Sequence, residues 1–473
     1  MYCGSTNVVV EENHSTFCKE CRKSNVLEGT SSTAGENKEV CIVGMGYVGT
    51  SLSTIFAENG FTVYGIDVNP AIIETVDQGQ CPIEEDKITE LFEKYAAKGD
   101  ISVTDSYEPV GRCSIIIVTV GTPLATEDPD LSNVKAASKS VGSYVDYDDL
   151  VIYRSTLPAG ATEDTIRPIL DAESELVAGE DYSLAFCPER MAEGNAYHDI
   201  TSLPVVVGGL TNTCLEEAEE FWDTLGHETV SVSSPRAAEL TKLADNWWID
   251  LNIALANEIA LLSERVGVDA LEVIHAANTL PKGEHNVNIL YPGAGVGGSC
   301  LVKDPWFVAN LGESYGLDLQ TPRVSREVNE KMPSHMVNLI EKGLGELENQ
   351  TIAVLGYAFK GETDDIRNTP AKKIVELLDE YDLDIRITDP YARNKEVTED
   401  VGYSLTRLPD ALSDAHAIVI VTGHRQYDNL SGEDLIDYVG NEEFVIVDGR
   451  HIFSRDEFAA TNVQYLGVGR GSK

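Results

Sequence analysis

Cys300 lies in the run Gly293-Ala294-Gly295-Val296-Gly297-Gly298-Ser299-Cys300-Leu301-Val302-Lys303-Asp304. A thiol that attacks carbon must ionise, be reachable by a substrate and sit near groups that steady negative charge. The glycines permit close backbone approach and expose amide N–H groups, and Lys303 adds a positive charge. A buried structural cysteine is the commoner fate of this residue type. The glycine-rich run and the Lys-Asp pair reverse that balance and predict an attacking thiol.

A second constellation is Gly44-Met45-Gly46-Tyr47-Val48-Gly49, which follows an apolar strand and opens a helix, with Asp67 ending the next strand. In that context glycines make the tight turn, the helix N-terminus receives a pyrophosphate and the acid takes ribose hydroxyls. Asp67 is followed by Val68-Asn69-Pro70 with no arginine to meet a 2′-phosphate, so the reading is NAD rather than NADP. Lys242 and Asn246 are four residues apart on a long helical pattern and share a face, where a lysine can steady an oxyanion. The alternative for such a pair is a solvated helix flank. Cys187-Pro188-Glu189-Arg190-Met191-Ala192-Glu193-Gly194 follows a strand, so it belongs at the carboxyl edge of a sheet, where a general base and ligand contacts sit. In the last third, Lys360 and Arg367 follow another strand and glycine and suit a diphosphate, while Asp389 takes the place that Asp67 has in the first half.

The elements that must position these residues read as an α/β protein: two Rossmann-like doubly wound domains joined by a long central helix. Strands are predicted at 40–43, 62–66, 114–118, 150–153 and 204–207, with a helix over 49–59, in a parallel sheet. Apolar residues at Leu240, Leu243, Trp247, Leu251, Leu255, Ile259, Leu262 and Val266 make one helical stripe after Pro235, read as a connecting and dimerising spine. A second α/β texture has strands at 351–356, 384–388, 417–421 and 444–447 and a helix near 370–380. The domains expected are a disordered extension over 1–39, an NAD-binding domain over 40–232, a central helical dimerisation domain over 233–330 and a second Rossmann-like, nucleotide-binding domain over 350–473. Within the extension Cys3, His14, Cys18 and Cys21 have partial zinc spacing but no second tight pair, so no metal is expected.

Against 79 acidic residues stand 35 basic ones, for a formal net charge of -44 over 473 residues. Such a surface repels nucleic acid and anionic membranes. It suits multimolar salt, where a Debye length of about 3 Å screens the self-repulsion, and points to a halophile. No apolar run nears the roughly 20 residues of a membrane span, and nine scattered cysteines argue for a reducing compartment, the cytoplasm.

From residue 40 onward the chain resembles the UDP-glucose/GDP-mannose dehydrogenase family. The resemblance rests on Gly44 to Gly49, Val120-Gly121-Thr122-Pro123, Ser155-Thr156-Leu157-Pro158-Ala159-Gly160, Pro188-Glu189 with Glu193-Gly194, Lys242 with Asn246, Gly297-Gly298-Ser299-Cys300 with Lys303-Asp304, and Phe359-Lys360 with Thr363 to Arg367. It implies two successive oxidations of a UDP-sugar alcohol by NAD in a homodimer or higher homo-oligomer. Cys300, Lys242, Asn246, Asp304 and Glu189 would be catalytic. Gly44 to Gly49, Asp67, Thr122, Thr156 and Glu193 would bind cofactor, and Arg190, Met191, Lys242, Asn246, Gly297, Gly298, Lys360 and Arg367 substrate. Ala276-Ala277-Asn278-Thr279, Arg154-Ser155-Thr156, Pro188-Glu189-Arg190 and the loop over 292–298 look more like the branch that acts on UDP-N-acetyl-D-mannosamine, with UDP-glucose the alternative. Where that branch carries an arginine donated across the dimer, this chain has His285-Asn286-Val287.

Overall fold

A computed structural model describes residues 8–10, 15–18, 24–26 and 38–471, apart from 126 and 284. Two compact units are Met1–Lys38 and Glu39–Lys473. The first departs from the irregular segment expected there: Val8–Val10, Ser15–Cys18 and Ser24–Val26 pair antiparallel. The run of three valines accounts for the first strand, since β-branched side chains favour a pleated backbone. Cys3, His14 and Cys21 lie outside the described residues.

The first half of the large unit is an eight-stranded sheet. Six strands run in the order Ile101–Thr104, Phe61–Ile66, Lys38–Val43, Ile115–Val118, Leu150–Tyr153, Ser183–Phe186, which is the doubly wound order 3-2-1-4-5-6. Their near-continuous Val and Ile content follows from burial on both faces. Val205–Gly209, expected parallel, instead pairs antiparallel with Ser183–Phe186, and Thr229–Ser231 extends it. The intervening chain holds only the seven-residue helix Ala196–Ser202, short of the full crossover that a parallel return uses.

Ser234 caps the spine helix Pro235–Val266 by accepting from the Ala237 amide, Pro235 occupies its first turn, and Gly267 ends it in the left-handed conformation at φ 75°. Its faces are the reverse of a soluble helix. Glu239, Lys242, Asn246, Asp250 and Asn257 are buried, whereas Leu240, Trp248, Leu255, Leu262 and Val266 of the apolar side are exposed. It packs against Asp304–Ser314 and against the helix Gln320–Leu344, which continues through Pro333 instead of ending near 330.

The last half has five parallel strands in the order Asp384–Thr388, Thr351–Leu355, Ala417–Ile420, Val445–Asp448, Gln464–Gly467, a second doubly wound arrangement. Beyond its last strand the chain returns to the end of the spine helix. The Ala270 amide donates to the Gly469 carbonyl at 2.8 Å, the Gly471 amide to Val268 at 3.1 Å, and Arg470 pairs with Asp269.

Candidate active site

The glycine turn is built by necessity. Gly44 sits at φ +99°, and a Cβ on Gly49 would lie 1.9 Å from the Gly44 carbonyl oxygen, so neither tolerates a side chain. A Cβ on Gly46 would meet nothing within 4 Å. That open space lies at the start of the helix Tyr47–Glu58, whose first turn has neither a carboxylate nor a side-chain cap. The turn therefore fits a pyrophosphate, which such N–H groups bind. Asp67 accepts from the Met45 amide at 2.7 Å and the Asn69 amide at 2.8 Å. Met45 and Val48 turn their side chains into the core, so their part in the cofactor site is played by backbone alone. Thr122 Oγ1 donates to the Thr156 carbonyl at 2.7 Å, joining the two threonines expected beside the cofactor.

Around the predicted nucleophile, Cys300 is exposed and its carbonyl accepts from the Lys303 and Asp304 amides at 3.0 and 2.9 Å, which seats the loop on the start of the helix Asp304–Ser314. Asp304 is fully buried and accepts from Asn246 Nδ2 at 2.5 Å and from Lys303 Nζ at 2.6 Å. The lysine expected to face the thiol thus turns to Asp304. One turn back on the spine helix, Lys242 is 9% exposed, and among the described residues no partner lies within bonding distance of its ammonium. A nearly buried cation without a partner is what a developing oxyanion requires.

Gly297 and Gly298 pack against the last half of the chain. A Cβ on Gly297 would lie 2.8 Å from the Asn368 carbonyl oxygen, and one on Gly298 would lie 2.8 Å from the Phe359 ring. Their small size therefore serves loop docking. Across the same cleft Lys360 Nζ donates to the Glu193 carbonyl at 2.6 Å, and Arg367 pairs with both Asp365 and Glu193. Burial, then the neighbouring Asp365, pushes the Glu193 carboxyl up to about 8. Asp365 foremost, with Glu193 and Cys300 adding to it, holds the Arg367 guanidinium charged against burial.

Glu189 differs from a poised base. Its carboxylate lies 2.5 Å from Arg154 Nη2 and accepts from the Arg190 and Met191 amides at 2.7 and 2.9 Å. Burial opposes ionisation, but Arg154 and those amides hold the carboxyl below its ordinary value, which lowers its basicity. Arg190 caps the Pro204 carbonyl and faces Asp245 at 3.9 Å, while Met191 packs on the first core. Asp389 holds the place expected of it, accepting from the amides of Tyr357 and Ala358 after the glycine turn as Asp67 accepts from Met45, and it differs from Asp67 in its further partners, the amides of Tyr391 and Ala392 and the ring of His424. His285 and Asn286 form an exposed two-residue strand.

Sequence reasoning missed Glu239, whose buried carboxylate accepts from the Gly160 amide and from the Thr162 amide and hydroxyl, fastening the Ser155–Gly160 loop to the spine. It named Arg154 only as part of a branch motif and missed its pairing with Glu189, as it missed the buried pair Asp250–Arg326. A signal existed: Glu239, Lys242, Asn246 and Asp250 recur at three- and four-residue spacing.

The sequence profiles of the UDP-glucose/GDP-mannose dehydrogenase family match in order: the NAD binding domain at residues 38–226, the central domain at 236–331 and the UDP binding domain at 353–455. A UDP-N-acetyl-D-mannosamine dehydrogenase from Pyrococcus horikoshii is 34% identical over 91% of this chain and 99% of its own. The solved structure of a UDP-D-ManNAc dehydrogenase from that organism superposes with a TM-score of 0.82 at 32% identity, covering 91% of this chain and 99% of the other. A UDP-glucose dehydrogenase structure from Pyrobaculum islandicum also gives 0.82, at 30% identity over 93% of this chain and 100% of the other. Among the described residues no helix is long and apolar enough to cross a membrane. With the dinucleotide turn, the Asn246–Asp304 cluster and the Cys300 loop in one unit and three profiles matched end to end, the chain belongs to the UDP-glucose/GDP-mannose dehydrogenase family, NAD-dependent dehydrogenases of nucleotide sugars.

Proposed function

We propose that this dehydrogenase oxidises the C6 alcohol of UDP-N-acetyl-D-mannosamine to UDP-N-acetyl-D-mannosaminuronate through a covalent intermediate on Cys300. The observation that carries the reading is the arrangement of an unpartnered, nearly buried Lys242 one turn before Asn246, with Asn246 bonded to Asp304 and Asp304 four residues from the exposed Cys300. NAD supplies the oxidising power when bound at Gly44–Gly49, Asp67, Thr122 and Thr156: two molecules take up two hydrides, one water is consumed and three protons leave. Lys242 and Asn246 hold the alkoxide that forms as the alcohol loses its proton through water to Asp304. The Cys300 thiolate adds to the aldehyde carbon, forming a C–S bond and a thiohemiacetal. Loss of the second hydride leaves a thioester. Water whose proton passes to Asp304 then breaks the C–S bond, releasing carboxylate and thiol. Glu189, kept anionic by Arg154, holds the Arg190–Met191 backbone in this scheme.

The choice of sugar is supported by the branch motifs at 154–156, 188–190, 276–279 and 292–298 and by the Pyrococcus horikoshii relative's name. UDP-glucose is the second reading, favoured by the equal TM-score of the Pyrobaculum islandicum structure. The exposed apolar side of the spine supports a homodimer in which a second copy covers Leu240, Trp248, Leu255 and Leu262. The test is NADH formation in high potassium chloride with each UDP-sugar in parallel, beside Cys300→Ser. About two NADH per UDP-N-acetyl-D-mannosamine and no complete turnover by the variant are expected. Turnover with UDP-glucose alone establishes the second reading, and full activity of Cys300→Ser refutes the covalent route.

A further inference from the structure

The buried polar face of the spine continues past the residues that meet substrate. Asp250 and Asn257 follow Asn246 on that face and are 0% exposed, as are Arg326 and Asn329 of the packed helix Gln320–Leu344 to within 2%. Asn257 Oδ1 accepts from the Gly293 amide at 2.9 Å, at the start of the cysteine loop. Arg326 Nη1 donates to Asp250 Oδ1 at 2.8 Å and reaches the Leu301 carbonyl at 3.4 Å, directly after Cys300. Asn329 closes the network: its Nδ2 donates to the Asp250 carbonyl and carboxylate at 3.0 and 2.8 Å, and its Oδ1 accepts from Asn257 at 2.9 Å.

We infer that Asn257 and the Asp250–Arg326 pair are positioning residues that clamp the two ends of the Cys300 loop to the same helix that carries Lys242 and Asn246, and so set the distance from thiol to oxyanion site. The loop needs such anchors. Gly293, Gly295, Gly297 and Gly298 lie within it, and glycine leaves a chain freer than any other residue. Its middle is held from the other side, where the Gly298 amide donates to the Arg367 carbonyl at 2.9 Å and Asn368 to the Gly298 carbonyl at 3.1 Å. Only the ends answer to the spine. A helix is suited to the task, because about 1.5 Å of rise per residue places Asn246 and Asn257 at a fixed separation. The network is also poorly explained by stability. Asp250 Oδ2 and Arg326 Nε are buried without partners, and a buried ion pair can usually be exchanged for apolar side chains at no loss. Fixing geometry is the service that apolar residues would not perform.

The inference rests on Cys300 as nucleophile, and its test separates the two. Asn257→Ala removes the Gly293 anchor. His335→Gln alters the pairing with Glu264 between the same two helices but touches neither the network nor the loop, and serves as the control. Measured on the full chain are kcat, KM for NAD, alkylation of Cys300 by iodoacetamide, and hydrogen exchange of amides 294–301. In Asn257→Ala, kcat should fall and loop exchange rise by about fivefold to a hundredfold, the range for one buried donor left unpaired, with KM for NAD within about twofold. His335→Gln should keep both within about twofold. If Asn257→Ala does not fold, Arg326→Lys, which keeps the charge beside Asp250 but falls short of Leu301, is held to the same expectation. Unchanged loop exchange in the anchor variant, or an equal loss of kcat in His335→Gln, overturns the inference. Full turnover by Cys300→Ser would instead defeat the nucleophile reading, and the exchange data would still decide the clamp.

Discussion

Replacing Arg154 by methionine takes away the cation facing Glu189 while keeping most of the aliphatic stem. The pair is buried, with side chains 5% and 11% exposed, so water cannot take the arginine's place. Breaking such a pair by removing one partner destabilises by about 3–5 kcal/mol. For a domain the size of the NAD-binding half, at about 2–4 °C per kcal/mol, Tm near neutral pH should drop by roughly 6–20 °C. The pH dependence should change sign as well. In the wild type the Glu189 carboxyl is held below its ordinary value, so its contribution is present above the unfolded carboxylate range and is lost as pH falls through the folded value. Without Arg154, only the Arg190 and Met191 amides oppose burial, so the carboxyl should rise and the variant should lose stability as pH rises. The Tm gap should therefore be narrow near pH 5 and wide near pH 8, and Arg154→Met with Glu189→Gln should recover much of the loss. Trp222, whose ring lies 4.7 Å from the Arg154 guanidinium, provides the fluorescence probe for thermal unfolding. A gap that is constant across this pH range, or a double variant no better than the single, would refute the reasoning.

Gly46→Ala should leave Tm unchanged but weaken NAD binding by tenfold or more in calorimetry, because its Cβ enters open space at the turn, whereas Gly49→Ala should also lower Tm through its clash with Gly44. Burial raises Glu239 from 4.5 to about 7 against the bonds from Thr162 and Gly160, so its contribution is full below the ordinary carboxylate range and lost as pH rises toward 7. Glu239→Gln should flatten the stability profile over that interval, and an unchanged slope would count against the assignment. With a net charge of -44, Tm should climb as potassium chloride rises from about 0.1 M to the molar range, and a Tm independent of salt would remove the halophile reading. Trp248→Glu with Leu255→Glu should convert a dimer to a monomer in sedimentation, since both side chains are exposed on the apolar side of the spine.

The glycine turn at 44–49 and its Asp67 were legible because their signal is local: a turn, a helix start and one acid at the end of the next strand. Of the side chains expected there, Asp67, Thr122, Glu193, Asn246 and Asp304 each carry a polar atom into a described contact, Cys300 is exposed, and Lys242 has no partner among the described residues. What the sequence hid depends on tertiary packing. The stripe with Leu240, Leu255 and Leu262 was legible as apolar, but periodicity did not show that the opposite face of the same helix buries Glu239, Lys242, Asn246 and Asp250. The central domain was expected to end at 330, but the helix Gln320–Leu344 runs on past that point and through Pro333. Strand direction at Val205–Gly209 and the strand Gln464–Gly467 have no compositional mark. Neither does the ionisation of Glu189, which is set by an arginine 35 residues away.

The bonds from Gly469 and Gly471 to the end of the spine helix have a consequence for biosynthesis. The partners of Ala270 and Val268 emerge from the ribosome only after the whole last half has been made. At about 5–20 residues per second, that delay is on the order of ten to forty seconds. Through that interval the NAD-binding half can fold while the far end of the spine helix stays unfastened and the loop at Gly298 lacks its partners Arg367 and Asn368, so assembly of the cysteine loop becomes a late event of translation. A ribosome stalled within the last half should accordingly display a chain that binds NAD and has no turnover.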